Sequence, residues 1–393
     1  MTLARKNDIL EHVKGTINEK IISDKGGFQM PVKYIWLANI LKELLLKNTG
    51  NGVYKLPSES ILCERYHVSR QTVRTALRLL EEEGLIEKRQ GSGSFSTGLG
   101  GRQNSVALVV NHAEEYTMPA ILADIKSFLR KKGYSTNTYS TYARIAQERQ
   151  ILEELNASPI RGLIVEGTKS ALPNPNLDLY EQLAAQGVSI LFLGGNYPAL
   201  TSAIYIKDDN YYGGYLLARH LAQQGHTHIA GIFRIDDIRG IDRYGGYVAA
   251  LRDFGIPAAD ELVSWYTSAM LEALETRSDT GFLTDFLRRN KDMYSAVICQ
   301  DDEIAYWLIK ELHYAGIRIP EDISVVSFDN SYMSDLDSIR ITTLSHKSHE
   351  IGFMAASALI RMIQGETVFS EELSWQIIQK GSDAPYPVLP RLE

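Results

Sequence analysis

The stretch from Leu56 to Phe95, LPSESILCERYHVSRQTVRTALRLLEEEGLIEKRQGSGSF, constrains the fold more tightly than any other part of the chain. It predicts two short helices joined by a tight turn and followed by a small hairpin. The first helix spans about Ser58 to His67, with Ile61, Leu62 and Tyr66 spaced toward one side. Ser69 is a favourable N-cap for the second, because its hydroxyl can accept from an otherwise unpaired first-turn N–H. Val73, Ala76, Leu77 and Leu80 then form an apolar stripe at helical spacing. Arg70, Gln71, Thr72 and Arg74 are left on the exposed first turns, where such side chains reach base edges in a major groove. Leu85–Arg89 reads as a strand and Gln90-Gly91-Ser92-Gly93 as a turn whose backbone can lie close to a phosphate. Taken singly, Arg70 and Arg74 fit a solvated helix surface as well; the setting is what favours DNA. The Gly91–Gly93 pair lacks the third glycine of a dinucleotide fingerprint and no helix pattern follows it, so a hairpin is the better reading.

With "LPSE", "VSRQTVRTAL" and "LEEEGLIEKRQGSGSF" in order, the segment resembles the winged helix-turn-helix of the GntR family of bacterial transcription regulators, over about Pro31 to Thr97. The resemblance implies double-stranded operator DNA as a partner. It places Ser58, Glu59, Ser69, Arg70, Gln71, Thr72, Arg74, Lys88, Arg89, Gln90 and Gly91 toward it, with Arg70 on bases and Lys88 or Arg89 on phosphate. Many members of the family carry an Arg two residues after the "PS" pair; Ser60 stands there in this chain, so that contact is not carried over.

A length of 393 residues implies two or three units. Charge divides unevenly between them. Through Arg102 there are 16 lysines and arginines against 11 acidic residues, and thereafter 25 against 37. A basic front on an acidic body is expected when one end binds nucleic acid and the other is repelled by it, so the overall charge of −7 does not argue against DNA. No apolar run reaches membrane-spanning length, and MTLARKNDIL lacks the apolar core of a signal peptide. The two cysteines, Cys63 and Cys299, fall in different predicted units, so a disulfide framework is not expected and a reducing cytoplasm fits. No Cys/His cluster has zinc spacing; no metal and no cofactor are expected.

Residues 1–30 form an extension in which Ile9, Val13 and Ile17 have helical spacing. Residues 31–97 are the DNA-binding unit, its first helix at Ile35 to Leu46, and residues 98–104 a glycine-rich linker. From residue 105 to 393 short β-branched runs alternate with amphipathic helices: Val106–Val110, Ser135–Tyr139, Gly162–Val165, Ser189–Leu193, Ala203–Ile206, Ile229–Phe233, Leu262–Trp265, Ala296–Cys299 and Ser324–Phe328 are the predicted strands. The helix that includes Arg243 is predicted over Tyr244–Asp253, with Arg243 at its start. Such alternation predicts an α/β fold with parallel sheets covered by helices on both faces, and the length allows two of them.

Ligands in such folds sit beyond the carboxyl ends of strands. Asn111–Tyr116, Glu166, Arg243, Asp301-Asp302 and Asp329 fall at or near those ends. Carboxylates accept from hydroxyls, Arg donates in a planar fork and aromatic rings cover an apolar sugar face, a set suited to a neutral sugar. Asp at a strand end also commonly caps a helix, as expected for Asp302-Glu303, and Asp209 suits a structural role at a junction. Tyr211, Tyr212 and Tyr247 are expected in core or surface positions rather than as sugar platforms.

The motifs "DDNYYGGYLLARHLAQQGHTHIAGIF", "DRYGGYVAALRDFGI", "ICQDDEIAYWLIKELHYAGIRIPEDISVVSFDNS" and "ITTLSHKSHEIGFMAASALIRMI" resemble the effector domain of LacI/GalR regulators. The implied architecture is a periplasmic-binding-protein-like domain of two Rossmann-like lobes joined by three crossovers, with a sugar in the cleft. The resemblance implies effector contacts for Arg243, Asp301 and Asp329; Tyr116, Glu166 and Lys207 complete the candidate set. Relatives often carry Asn where Asp301 stands. A GntR-type head on a LacI-type body is typical of the AraR group, and RGLIVEGTKSALPNPN and GHTHIAGIFRIDDIRG look closer to it than to other sugar regulators. That group implies a homodimer at palindromic half-sites, released by a small neutral sugar, L-arabinose first. A pyridoxal-phosphate enzyme body would need a Schiff-base lysine and a phosphate cup, neither of which is evident. A transport-linked binding protein is opposed by the DNA-binding head.

Overall fold

A computed structural model describes residues 33–48, 54–82, 85–89, 92–96, 104–114, 116–158, 160–276, 281–290, 293–336, 338–347 and 349–386. The expected extension, residues 98–103 of the linker, Gln90 and Gly91 lie outside them.

The head consists of α1 (Lys33–Asn48), α2 (Glu59–Tyr66) and α3 (Arg70–Glu82), then the hairpin β1 (Ile86–Arg89) and β2 (Gly93–Ser96), paired antiparallel from Ile86 opposite Ser96 to Arg89 opposite Gly93. Local chemistry sets the turn. Ser58 caps α2 by accepting from the N–H of Ile61, and His67 ends it in the left-handed region at φ 52°. Ser69 caps α3 by accepting from the N–H of Thr72 at 3.1 Å. Leu37 and Leu41 of α1, Leu62 of α2 and Val73, Leu77 and Leu80 of α3 close one small core. Ile61, expected to face inward, is exposed; it is one residue, about 100° of helix rotation, away from Leu62, which takes the single buried position of this short helix.

The body begins with β3 (Ser105–Val110), α4 (Met118–Lys131), β4 (Ser135–Ser140), α5 (Ile145–Asn156), β5 (Gly162–Val165), α6 (Leu177–Ala185), β6 (Ser189–Leu193) and β7 (Ile204–Asp208). It continues with α7 (Asn210–Gln223), β8 (Ile229–Arg234), α8 (Ile238–Asp253), β9 (Val263–Tyr266), α9 (Ser268–Glu275), α10 (Gly281–Asn290), β10 (Ala296–Cys299), α11 (Asp302–Tyr314) and β11 (Ser324–Phe328). It ends with β12 (Thr342–Ser345), α12 (Glu350–Ile363), β13 (Glu371–Leu373) and β14 (Gln376–Ile378). The strands form two six-stranded sheets, in the order β13-β7-β6-β5-β3-β4 in the first lobe and β14-β12-β11-β10-β8-β9 in the second. All pairings are parallel except β12 with β14. The chain crosses between lobes three times, from β7 into α7, from β12 into α12 and from β13 into β14. Apolar side chains of α12 are buried in the first lobe and those of α7 in the second.

Three differences from the sequence expectation have local causes. Helix α8 begins six residues before Tyr244 because Asp237 caps it, accepting from the N–H of Arg239 at 3.0 Å; Arg243 therefore sits in its second turn and not at its start. The cap of α11 is Asp301, which accepts from the N–H of Ile304 at 2.9 Å, so Asp302 and Glu303 form the first turn only. Strands β12 to β14 have three or four residues each, too short for a periodic signal.

Two packing features position the site. Helices α7 and α8 cross at paired glycines: a Cβ added to Gly214 would run into the carbonyl of Arg243, and one added to Gly246 into that of Tyr211. In the second lobe the buried Asp302 carboxylate joins three segments, accepting from the Ser327 hydroxyl, from Thr343 Oγ1 at 2.7 Å and from the N–H of Ser331 at 2.6 Å. Burial, with the nearby Asp329 charge, pushes its carboxyl up to about 7 despite these donors.

Gly246→Ala is expected to cost about 1–3 kcal/mol or more, because the clash is with backbone and cannot be relieved by a rotamer change; a lowered thermal midpoint relative to Gly245→Ala checks it. A carboxyl whose folded pKa lies above its unfolded value contributes stability at low pH that is lost as pH rises through the folded pKa. Between pH 5 and 8 Asp302 should therefore remove on the order of 2 kcal/mol of stability. Urea titrations at both pH values should show that slope in the parent and a flatter one in Asp302→Asn.

Candidate functional site

The ends of β3 and β5 in the first lobe face the ends of β8, β10 and β11 in the second across a cleft. Its lining includes Asn111, Tyr116, Glu166, Arg234, Asp237, Arg239, Arg243, Gln300, Asp301 and Asp329. Of the six residues expected at the effector site, five meet there. Lys207 does not: its ammonium lies 3.3 Å from Asp242 and 3.4 Å from Glu372 and over the Tyr205 ring, outside the lining. It sits on β7, whose Glu372-bearing neighbour β13 gives it a nearer carboxylate than any in the cleft.

Arg243 is the most deeply set cation. Its Nε donates to Asn210 Oδ1 at 2.8 Å, one terminal nitrogen donates to the Gln300 carbonyl, and the other lies 3.2 Å from Asp329 Oδ1. The guanidinium also covers the Phe328 ring, 4.0 Å from its centroid. The second oxygen of Asp329 accepts from Tyr116 Oη at 3.0 Å, and that phenol accepts from the N–H of Asp302 at 3.2 Å. Tyr116 belongs to the first lobe, so these bonds cross the cleft. Burial, reinforced by Asp329, Asp302 and Asp301, pushes the Tyr116 phenol well above its usual range and keeps it a neutral donor. Burial and the Asp329 charge likewise push Asp301 up.

A second cross-cleft link joins Glu166 to Arg239 at 3.0 Å; Glu166 also accepts from the N–H of Asn111 at 2.8 Å. Arg239 is backed by Asp237 at 2.7 Å, which also pairs with Arg234. Burial opposes ionisation of Asp237, but the two arginines outweigh it and hold the carboxyl well below the usual range. Asn210, Asp237, Arg239, Arg234 and Gln300 were not singled out from sequence. The signal was available for Asp236-Asp237, which follow β8 as Asp301-Asp302 follow β10. All three crossovers bring a side chain to one junction: Asp208 lies 3.6 Å from His346, and the His346 ring centroid is 5.6 Å from that of Trp375. Burial raises Asp208 to about 6, the His346 contact offsetting part of the effect. Asp209 caps α7, accepting from the N–H of Tyr212 at 2.9 Å, as its junction position suggested.

In the head, Arg70, Gln71, Thr72 and Arg74 occupy the first turns of α3, with Thr72 joined to Ser69 through its hydroxyl at 2.9 Å. The basic side chains differ in their partners. Arg74 lies 3.0 Å from Glu59, Lys88 2.8 Å from Glu81, and Arg89 2.6 Å from Glu87 while covering the Phe95 ring at 4.7 Å. Arg70 is exposed and has no carboxylate partner among the described residues.

The comparisons agree with this division. Bacterial regulatory proteins of the gntR family match residues 36–95, and a periplasmic binding protein-like domain matches residues 218–382. The arabinose metabolism transcriptional repressor of Halalkalibacterium halodurans is 32% identical over 345 residues, which cover 86% of this chain and 91% of that protein. The protein of the same name from Geobacillus stearothermophilus is 33% identical over 343 residues, covering 86% and 92%. The transcriptional regulator CelR in its cellobiose complex shares the fold at TM-score 0.62 and 23% identity, over 80% of this chain and 91% of that one. A LacI family regulator from Enterococcus faecium with bound ribose does so at TM-score 0.58 and 22% identity, over 72% and 100%. The chain therefore belongs to the family of transcriptional repressors represented by the Halalkalibacterium and Geobacillus proteins, in which a gntR-type DNA-binding head is joined to a periplasmic-binding-protein-like, sugar-sensing body.

Proposed function

We propose that this repressor acts in the cytoplasm as a homodimer that L-arabinose releases from its operator, residues 31–97 reading the DNA and residues 105–393 sensing the sugar. One observation carries the reading. Every arginine lining the cleft already faces a carboxylate: Arg243 faces Asp329, Arg239 faces Glu166 and Asp237, and Arg234 faces Asp237. With these pairs, and with carboxylates outnumbering cations in the lining even when Lys169 is counted, the cleft offers directed hydrogen bonds without surplus positive charge, which suits hydroxyls and disfavours a phosphoryl group. The similarity to repressors named for arabinose metabolism supports the pentose.

Tyr116 and Glu166 approach the sugar from the first lobe and Arg243, Asp301 and Asp329 from the second. A ligand bonded to both sets favours the closed cleft. In a dimer, closure turns one lobe against the other at the subunit interface and changes the separation of the two heads. The coupling is of the order of 1–3 kcal/mol, and sugar and operator must weaken each other equally. Arg70, with no carboxylate partner to give up among the described residues, reads a base edge; Lys88 and Arg89, already paired with Glu81 and Glu87, exchange those partners for phosphate.

Calorimetry should show L-arabinose binding and no comparable binding of ribose 5-phosphate; the reverse overturns the effector assignment. Arg243→Ala should lower sugar affinity by several-fold to a few hundred-fold, about 1–3 kcal/mol, while leaving sugar-free operator affinity nearly unchanged. The result is a repressor that stays on DNA and no longer answers to inducer. A folded variant that binds sugar normally, or loses the operator, contradicts this. Arg70→Ala should cost about 1–3 kcal/mol on cognate operator and much less on random DNA; equal losses on both would remove base reading from Arg70.

A further inference from the structure

Arg234, Tyr266 and Asp301 stand at the carboxyl ends of three adjacent strands, β8, β9 and β10, with β8 in the middle. Arg234 and Tyr266 are register partners across the β8–β9 ladder. Both carry an unused donor. Arg234 Nε and Tyr266 Oη are buried and have no hydrogen-bond partner among the described residues, although Arg234 gives another nitrogen to Asp237. The Tyr266 ring cannot swing away to find one, because it stacks on Phe282 with centroids 5.4 Å apart and planes 19° apart. Tyr266 is fully buried beside its register partner Arg234, which with Asp301 belongs to the wall of the cleft. Asp301 uses one carboxylate oxygen to cap α11; the other accepts no hydrogen bond among the described residues. A buried donor left unpaired costs about 1–3 kcal/mol, so two side by side in one wall call for an acceptor supplied from outside the protein chain.

We propose that Arg234 and Tyr266, with the free oxygen of Asp301, form a subsite for one hydroxyl of the effector and that this subsite sets which sugars the repressor answers to. The complementarity is atom by atom. A hydroxyl has two lone pairs, for Arg234 Nε–H and Tyr266 O–H, and one proton, for Asp301. A phosphoryl or carboxylate oxygen brings no proton and would face the Asp301 carboxylate. A methylene in place of the hydroxyl leaves both donors unpaired. A site built around hydrogen-bonding groups rejects the analogue that lacks the hydroxyl far more strongly than an apolar pocket rejects an added one. The subsite rests on the sugar-sensing reading and adds to it the residues that discriminate among neutral sugars. Among the described residues no hydrogen bond joins Arg234 or Tyr266 directly to Arg243 or Tyr116; Arg234 and Arg243 share only Gln300, through its side chain and its carbonyl respectively.

Tyr266→Phe deletes one hydroxyl and keeps the stacked ring, and Arg234→Lys keeps the charge beside Asp237 while removing Nε–H. Each variant and the parent are titrated calorimetrically with L-arabinose and with its monodeoxy analogues. The parent should lose at least about tenfold in affinity on one particular analogue. Tyr266→Phe and Arg234→Lys should bring L-arabinose down toward that analogue's affinity and leave the analogue itself unchanged. Equal losses on all sugars, or no loss on any, overturn the subsite. So does a shifted thermal midpoint with unchanged discrimination, which would mean that the two donors serve only a buried water. D-xylose, D-ribose and D-galactose are titrated in parallel. A parent that ignores L-arabinose but binds one of these refutes the arabinose assignment alone, and the same discrimination test is then read on that sugar and its deoxy analogues. A parent that binds none of them overturns both.

Discussion

A guanidinium held almost entirely out of water has to find acceptors in every direction, and Arg243 finds them on segments far apart in sequence. Asn210 opens the helix after the first crossover, Gln300 follows β10, and Asp329 follows β11. The Phe328 ring closes the remaining face. Leaving one of these groups unpaired would cost about 1–3 kcal/mol, so the ends of β10, β11 and the start of α7 are held relative to one another by a single side chain. The glycine crossing of α7 and α8 is the condition for this arrangement. With a Cβ at Gly214 or Gly246 the two helices would separate, and Arg243, one turn along α8, would move away from Asn210. Through Asp329 the same cation reaches Tyr116 and hence the other lobe.

The cleft is electrostatically crowded, and carboxylates outnumber cations in its lining. Asp302 and Asp301 are raised by burial, whereas Asp237 is held low by Arg239 and Arg234. Neighbouring carboxyls thus differ in their readiness to ionise because Asp237 is in direct contact with two arginines, whereas burial and the Asp329 charge prevail at Asp301 and Asp302. The links across the mouth, Tyr116 to Asp329 and Glu166 to Arg239, are bonds that the protein makes with itself at the positions proposed for the sugar. A ligand that replaces them has to return equivalent hydrogen bonds, and this favours a polyhydroxylated molecule over an apolar one.

The head solves a different problem. It has to present cations to a polyanion without destabilising a small domain, and it does so by pairing Arg74, Lys88 and Arg89 with acidic neighbours, whereas Arg70 has no carboxylate partner among the described residues. Exposed pairs of this kind contribute little to stability, so exchanging the carboxylate for a phosphate is inexpensive. Glu59, which sequence resemblance placed toward DNA, is the residue that orients Arg74.

Much of this was legible in the chain itself. Ser69 ahead of a stripe at Val73, Ala76, Leu77 and Leu80 specified a capped helix, because capping and helical periodicity are local. The strand–helix alternation specified parallel sheets, since short β-branched runs separated by amphipathic helices have few other ways to bury both faces. Asp301 and Asp329 were found because strand ends are visible in sequence. Lys207, also a candidate, lies outside the cleft because Asp242 and Glu372 hold its ammonium, and Glu372 is brought by β13 from more than 160 residues later. Arg234, Tyr266 and Asp237 went unrecognised for a related reason. Whether a buried polar group is satisfied depends on what the neighbouring strand brings to it, and that is decided by sheet order. Sequence by itself determined the local elements, the two-part architecture and the polar character of the strand ends, because each depends on residues a few positions apart. Only the tertiary structure decided which of those ends share a cleft, which charges are already spent on one another and which donors remain for a ligand, because these depend on groups brought together by the crossovers.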